Sequence, residues 1–411
     1  MRSRIVVFGA FDRHNLGDLL FAHVAQALLD DRECLFAGIV ERDLRAFGGH
    51  RVRALAEVAR EAHEAGEALP LLHAGGEILS CDAWQAAVML LDPVEAARIV
   101  ARLDAKPRER DAWARRTLGQ ALRVDPVDVP LAPYVVASSS MPGLGDAAFA
   151  PVGGVELPSC DASLRGEVLE AIRGARPASV RDAITHACLL AAGIDAALVP
   201  DPVVTIASLF GERIRSHHAR SPRLARVHGA FPTGWLAAQF SADFGDDATL
   251  ATIAAQLDSV HRDTGLGVVL FRAGAAPWHD SLEVLEHIAS RMRKPALVLE
   301  SLDAWDLCAL IAGSRGFCGS SLHGRIVASA FGLARVNVAH PSVSAQTTKQ
   351  HAWAATWECR GQPGVVPVQA IGAGVRAALS VDRSARERRA AALAARCREY
   401  FASIRGALDA R

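Results

Sequence analysis

Short apolar runs alternate along this chain with longer segments whose apolar residues recur every three or four positions. That is the pattern of parallel strands joined by crossover helices. Positions 5–8 read as a buried strand and 16–29 as a helix, with Leu16, Leu19, Leu20, Val24, Ala27 and Leu28 on its apolar side. Strands are expected at 34–40, 69–73, 134–137 and 196–199, the last after a helix over 183–191. From 208 the chain turns polar, rich in Arg and His and broken by Ser221-Pro222, so 208–225 reads as a linker. A second series follows: strands at 224–228, 267–271, 296–299, 316–318 and 334–338, with helices at 250–261, 282–292, 304–311 and 322–331. The tail from 383 reads as one long Ala/Arg helix. The expected division is a domain over 1–207, the linker, a domain over 226–382, and a C-terminal helix in 383–411.

Length agrees with two domains, since 411 residues exceed what one core usually supports. A formal net charge of zero argues against a broad nucleic-acid surface, and no nucleic-acid partner is expected. The eight cysteines form no C-x-x-C pair, so buried reduced thiols are expected, with neither a disulfide framework nor a metal site. The apolar run at 5–8 is too short for a secretion signal, and Asp12, Arg13 and His14 interrupt it. No eighteen-residue apolar stretch occurs, so a cytoplasmic protein without a membrane span is expected.

In doubly wound sheets, ligands bind in loops beyond the carboxyl ends of strands. Five such loops stand out. The first joins strand 5–8 to its helix, where Gly9 and Gly17 permit close backbone approach, Asn15 can cap the helix and Asp18 follows. The second is His73-Ala74-Gly75-Gly76-Glu77, whose glycines permit a tight turn and whose Glu77 could orient a hydroxyl or act as a base. The third is Ser179-Val180-Arg181-Asp182, which puts the Arg181 fork at a strand end, where it could grip a carboxylate or phosphate. The fourth holds Arg272, Trp278, His279 and Asp280, more than a turn needs and a set suited to stacking on a sugar or a base. The fifth is Gly319-Ser320-Ser321-Leu322-His323-Gly324-Arg325. Ser320 and Ser321 are good caps, the helix dipole favours a neutral His323 that can take a proton, and Gly324 leaves room for a ligand.

Taken in order, these segments resemble the polysaccharide pyruvyl transferases. The resemblance rests on Asn15-Leu16-Gly17-Asp18, the glycine-rich 73–77, Val152-Gly153-Gly154, Ser179–Asp182, Pro200-Asp201-Pro202 and Ser321-Leu322-His323-Gly324. It runs from about residue 5 to 350. It departs at Ser321, where many members carry arginine, and at Ala74, where a third glycine is usual.

The resemblance implies an α/β fold of two Rossmann-like domains facing a central cleft, similar to the GT-B glycosyltransferases. It implies transfer of pyruvate from phosphoenolpyruvate onto two hydroxyls of a sugar or glycan, giving a ketal and phosphate. Phosphoenolpyruvate is then a co-substrate and no cofactor is expected. His323, Arg181 and Glu77 are the expected catalytic groups. Ser320, Ser321, Gly324, Arg325, Lys349, Asn15 and Gly17 are expected at the donor. Asp18, His73, Gly75, Gly76, Arg272, Trp278 and His279 are expected at the acceptor. A lipid-linked acceptor would bring peripheral membrane contact. The same pattern also fits a nucleotide-sugar enzyme or glycosyltransferase, or a non-catalytic relative that binds a sugar phosphate.

Overall fold

A computed structural model describes residues 3–137 and 140–409. The chain forms two compact units, one of residues 1–202 with 396–411 and one of 203–395.

The first unit is built on eight strands: β1 (Arg4–Phe8), β2 (Glu33–Gly38), β3 (Arg42–Asp43), β4 (Arg51–Ala54), β5 (Leu69–His73), β6 (Leu144–Val152), β7 (Ala178–Val180) and β8 (Ala197–Leu198). Their order in the sheet is β3-β4-β2-β1-β5-β6-β7-β8, all parallel except the β3–β4 pair. Ile5 to Phe8 are fully buried, as a central strand covered on both faces by crossover helices requires. From β1 the chain winds outward through β2 and β4, then returns to lay β5 on the other side of β1. The β1/β5 junction is therefore where winding reverses, and such junctions leave a crevice at the carboxyl ends.

The second unit has six parallel strands: β9 (Trp235–Gln239), β10 (Gly267–Phe271), β11 (Ala296–Leu299), β12 (Gly316–Gly319), β13 (Ala334–Ala339) and β14 (Val365–Pro367). Their order is β11-β10-β9-β12-β13-β14, so winding reverses between β9 and β12. This is the doubly wound dinucleotide-fold order. Leu236, Ala238, Val268, Leu270 and Cys318 lie in its core.

Several expectations need correction. Residues 208–225 are not a linker but part of two helices, Ile206–Arg220 and Pro222–Ala230. Their polarity belongs to the outer faces, while Ile206, Ile214, Leu224 and Val227 are buried. The second unit thus starts at 203, and the strand expected at 224–228 is helical; the first strand is β9. Residues 134–137 form no strand. Tyr134 donates its hydroxyl to Asp12 at 2.9 Å, and the Val136 amide donates to His73 Nε2 at 3.0 Å. The tail is one helix, Arg383–Asp409, as expected, but its residues from 396 on belong to the first unit. All eight cysteines are free; Cys81, Cys308, Cys318 and Cys397 are buried and the other four half-buried.

Candidate functional site

At the second unit's winding reversal, β12 ends in Gly319. A Cβ there would lie 2.0 Å from the Gln239 carbonyl, so glycine lets the two strand ends close together. The turn that follows is fixed from four sides. Ser320 N donates to the Gln239 carbonyl at 3.1 Å, and Ser321 N donates to Gln239 Oε1 at 2.6 Å. Asn337 Nδ2 donates to the carbonyls of Gly319 and Ser321 at 2.7 and 3.1 Å, and Gln350 Nε2 to that of Ser320 at 2.5 Å. Ser241 N donates to Ser320 Oγ at 3.1 Å. Ser321 is the N-cap of helix Leu322–Ala330, its Oγ accepting from the Gly324 amide at 3.1 Å. His323 sits in the first turn, 8% exposed, at an edge whose geometry is held by side chains rather than left to the loop.

The neighbouring loop after β10 is tied to the same strand end. Asp280 Oδ1 accepts from Gln239 Nε2 at 2.7 Å, and its Oδ2 accepts from the amides of Ala273 and Gly274 at 2.5 and 3.3 Å. Burial pushes the Asp280 carboxyl up to about 7, against the pull of these donors. Arg272 leaves β10 half-buried, its Nε enclosed and without a hydrogen-bond partner among the described residues. Trp278 is 49% exposed at a φ of 62°, a conformation that costs a bulky residue energy and recurs at ligand sites. The His279 carbonyl accepts from the Ala242 amide at 2.8 Å, and its Nδ1 lies 3.0 Å from the Pro277 carbonyl. Lys349 is exposed at the start of helix Lys349–Trp357, which Thr348 caps. Sequence reasoning missed Gln239, Asn337 and Gln350 because amides carry no motif, and it marked Asp280 as part of the fourth loop without assigning it the anchoring role seen here.

Two expected donor residues of this unit have other employment. Arg325 is fully buried. Its Nε donates to Glu358 at 2.8 Å, Nη1 to the Gly364 carbonyl at 3.0 Å and Nη2 to the Pro363 carbonyl at 2.6 Å. Arg335 meets the same Glu358 at 2.5 Å, and the two guanidiniums outweigh burial and hold that carboxyl below its usual range. Arg325 is thus a core cation and not a phosphate ligand. Gly324 makes room for the Phe317 ring, which an added Cβ would meet at 2.5 Å, and not for a ligand.

In the first unit, the loops after β1 and β5 flank the winding reversal. Asn15 caps helix Leu16–Leu28, accepting from the Gly17 amide at 3.0 Å as expected. Asp18 is buried beside Arg13, Nε to Oδ2 3.4 Å, and Gly9 serves strand packing, since a Cβ would lie 2.1 Å from the Ala74 carbonyl. His73 is a core residue: fully buried, stacked on Phe149 at 4.1 Å, and pushed down to about 4 by burial. It cannot contact an acceptor. Gly75 and Gly76 turn the chain at φ of 94° and 55°.

Four separated motifs then meet. Arg181 Nη2 donates to Glu77 at 2.6 Å and Nη1 to Asp201 at 2.7 Å. Arg181 and Asp201 are 2% and 0% exposed. Glu77 also accepts from the Val155 amide at 3.0 Å. A Cβ on Gly153 would sit 2.2 Å from Glu77 and 2.7 Å from Arg181, so that glycine admits the ion pair. Asp182 caps helix Ala183–Ala191 through the Thr185 amide at 2.8 Å. Arg181 is therefore corrected from an open gripping residue to the centre of a buried Glu77–Arg181–Asp201 cluster. Burial opposes its charge, yet the two carboxylates hold it protonated. Among the described residues no cluster of His, Cys, Asp or Glu suits a metal, and no helix is long and apolar enough to cross a membrane.

The span from Gly153 to the Ser320–His323 turn also carries a family signature. Residues 152–341 match the model of the polysaccharide pyruvyl transferase family. The resemblance to polysaccharide pyruvyl transferases seen in the motifs is thus shown for a span a little under half of the chain. No curated protein matches the sequence. Among solved structures, the chain is similar to S. aureus MnaA in its UDP co-structure, with 11% identity, a TM-score of 0.51, and coverage of 95% of this chain and 91% of that one. It is similar also to a putative UDP-N-acetylglucosamine 2-epimerase from Listeria monocytogenes, with 10% identity, a TM-score of 0.52 and the same coverage. At such identities the likeness shows the α/β fold of two parallel-sheet domains.

Proposed function

We propose that this protein transfers pyruvate from phosphoenolpyruvate to two hydroxyls of a sugar or glycan. The family match over 152–341 carries the reading, because it contains both the Glu77-binding Arg181 motif and the capped turn that presents His323. The chemistry asks for few groups. A proton is delivered to C3 of the enol phosphate, leaving an electron-poor C2 that a sugar hydroxyl attacks as it loses its own proton. The C2–O bond to phosphate breaks, a second hydroxyl closes the ketal, and phosphate departs. In this reading His323 moves the proton, and the Ser320–Ser321 turn with the helix N-terminus steadies an anionic oxygen. Arg272 and Lys349 replace Arg181 and Arg325 as cations for the donor. Trp278 and His279 face the acceptor from the loop that Asp280 anchors. The Glu77–Arg181–Asp201 cluster acts indirectly, by fixing the loops at the first unit's strand ends.

The test is incubation of the full chain with phosphoenolpyruvate and a panel of sugars, with phosphate release and product mass followed together. Phosphate release with a gain of one pyruvate ketal supports the proposal, and so does its loss in His323→Ala with the fold intact. A second reading comes from the fold neighbours, one solved with UDP and one described as a UDP-N-acetylglucosamine 2-epimerase. It would appear in the same assay as turnover of a nucleotide sugar with phosphoenolpyruvate unchanged.

A further inference from the structure

At the opposite, amino-terminal edge of the second unit's sheet lies a pocket of about 420 Å³. It is lined by Thr233, Ser314, Arg315, Gly332, Arg383 and Arg386 among others, residues that precede β9, β12 and β13 or start the last helix. Strands of four to six residues separate it from the His323 edge by roughly 13–20 Å. Arg386 is 7% exposed. Its Nε and Nη1 donate to the carbonyls of Gly332 and Ala378 at 3.0 and 2.7 Å, and Nη2 makes no hydrogen bond to the described protein. No carboxylate pairs with it among the described residues. Asp382 caps the first turn of the last helix and meets Arg388 at 3.8 Å, while Glu387 accepts from Arg383 at 2.7 Å. Burial, with Arg335 and Arg383 close by, holds the Arg386 guanidinium below its usual value, which registers the same imbalance. Arg315 adds an exposed guanidinium lying over Gly234, whose Cβ would meet Nε at 3.0 Å, and it too has no acidic partner among the described residues.

A buried cation that no carboxylate pairs among the described residues is costly, and the two carbonyls with the more distant Asp382 charge offset only part of that cost. We propose that this pocket is a second ligand site, separate from the His323 edge, that takes a phosphoryl group between Arg315 and Arg386. Planar guanidiniums suit a tetrahedral dianion, and the volume admits inorganic phosphate or a small phosphate ester. The proposal does not depend on the pyruvyl transfer reading.

Calorimetric titration of the full chain with inorganic phosphate, phosphoenolpyruvate and glucose 6-phosphate tests it. Binding is expected in the wild type and in His323→Ala alike, weakened about tenfold or more in Arg315→Gln, which changes an exposed side chain and leaves the fold intact. Equal affinity for the three ligands assigns the site to the phosphate moiety alone, and tighter binding of one ester assigns it to that ester. If the wild type binds none of them, the site does not exist. If His323→Ala removes all binding, or Arg315→Gln binds like the wild type, the anion sits elsewhere and the proposal falls.

Discussion

Removing one member of a buried charge cluster leaves its partners desolvated and uncompensated, typically at about 3–5 kcal/mol. Arg181 is such a member, with Glu77 and Asp201 on its two sides. Arg181→Ala is therefore expected to lower the urea-unfolding free energy by about 3–5 kcal/mol, so that any lost activity is confounded with lost fold. The triple change Glu77→Gln, Arg181→Met, Asp201→Asn should recover most of that loss, because it removes all three charges together. A wild-type midpoint for Arg181→Ala alone would show that the cluster is not the buried anchor described. The same logic makes Arg325→Ala a stability variant through Glu358, whereas His323→Ala should change catalysis with little effect on the unfolding midpoint.

At the scale of elements, the loop after β10 depends on one carboxyl, Asp280, which burial pushes well above the ordinary carboxylate range. The Asp280 value of about 7 in the folded chain lies above the 3.8 of an ordinary carboxyl. The folded form therefore holds the proton more tightly. Its stabilising contribution is full below about pH 4 and is lost as pH rises through about 7, by up to about 4 kcal/mol. Relative to Asp280→Asn, wild-type stability should fall between pH 5 and pH 8; a constant difference across that range would mean that the carboxyl does not titrate there. Which elements were legible follows from the same physics. The strand at 5–8 and the helix at 322–331 announce themselves by unbroken apolar runs and caps. By contrast β9 reads Trp-Leu-Ala-Ala-Gln and β6 is rich in alanine, so the β-branched residues that mark strands are absent from β9 and limited to the terminal Val152 in β6. The helix Ile206–Arg220 hides a sparse Ile206/Phe210/Ile214 stripe among charges and passes for a linker. Motif loops were legible as places, but not as roles. No sequence pattern distinguishes an arginine that faces a ligand from Arg181 or Arg325, whose acidic partners lie 20 to 104 positions away.

Over the whole molecule, the boundary in space is not the boundary in sequence, because the last helix begins in the second unit and ends in the first. Within the first unit its final turns bury Cys397, Phe401 and Ile404 at 0 to 2% exposure. Arg396 Nη2 donates to the Leu198 carbonyl at 2.7 Å, and Arg405 pairs with Asp30 at 3.1 Å. Burial of the phenylalanine and isoleucine side chains contributes about 1.5–3 kcal/mol each, while the exposed Arg405 pair adds little. Ending the chain after Ala395 should therefore weaken the first unit by several kcal/mol and spare the second, whose core draws on β9 to β14 and their helices. Hydrogen exchange reads the difference directly: amides of β7 and β8 should lose protection while those of β9 and β12 keep it. Equal loss in both sheets would show instead that the two units unfold as one cooperative body, and the last helix would then be a support of the whole chain rather than of its first sheet.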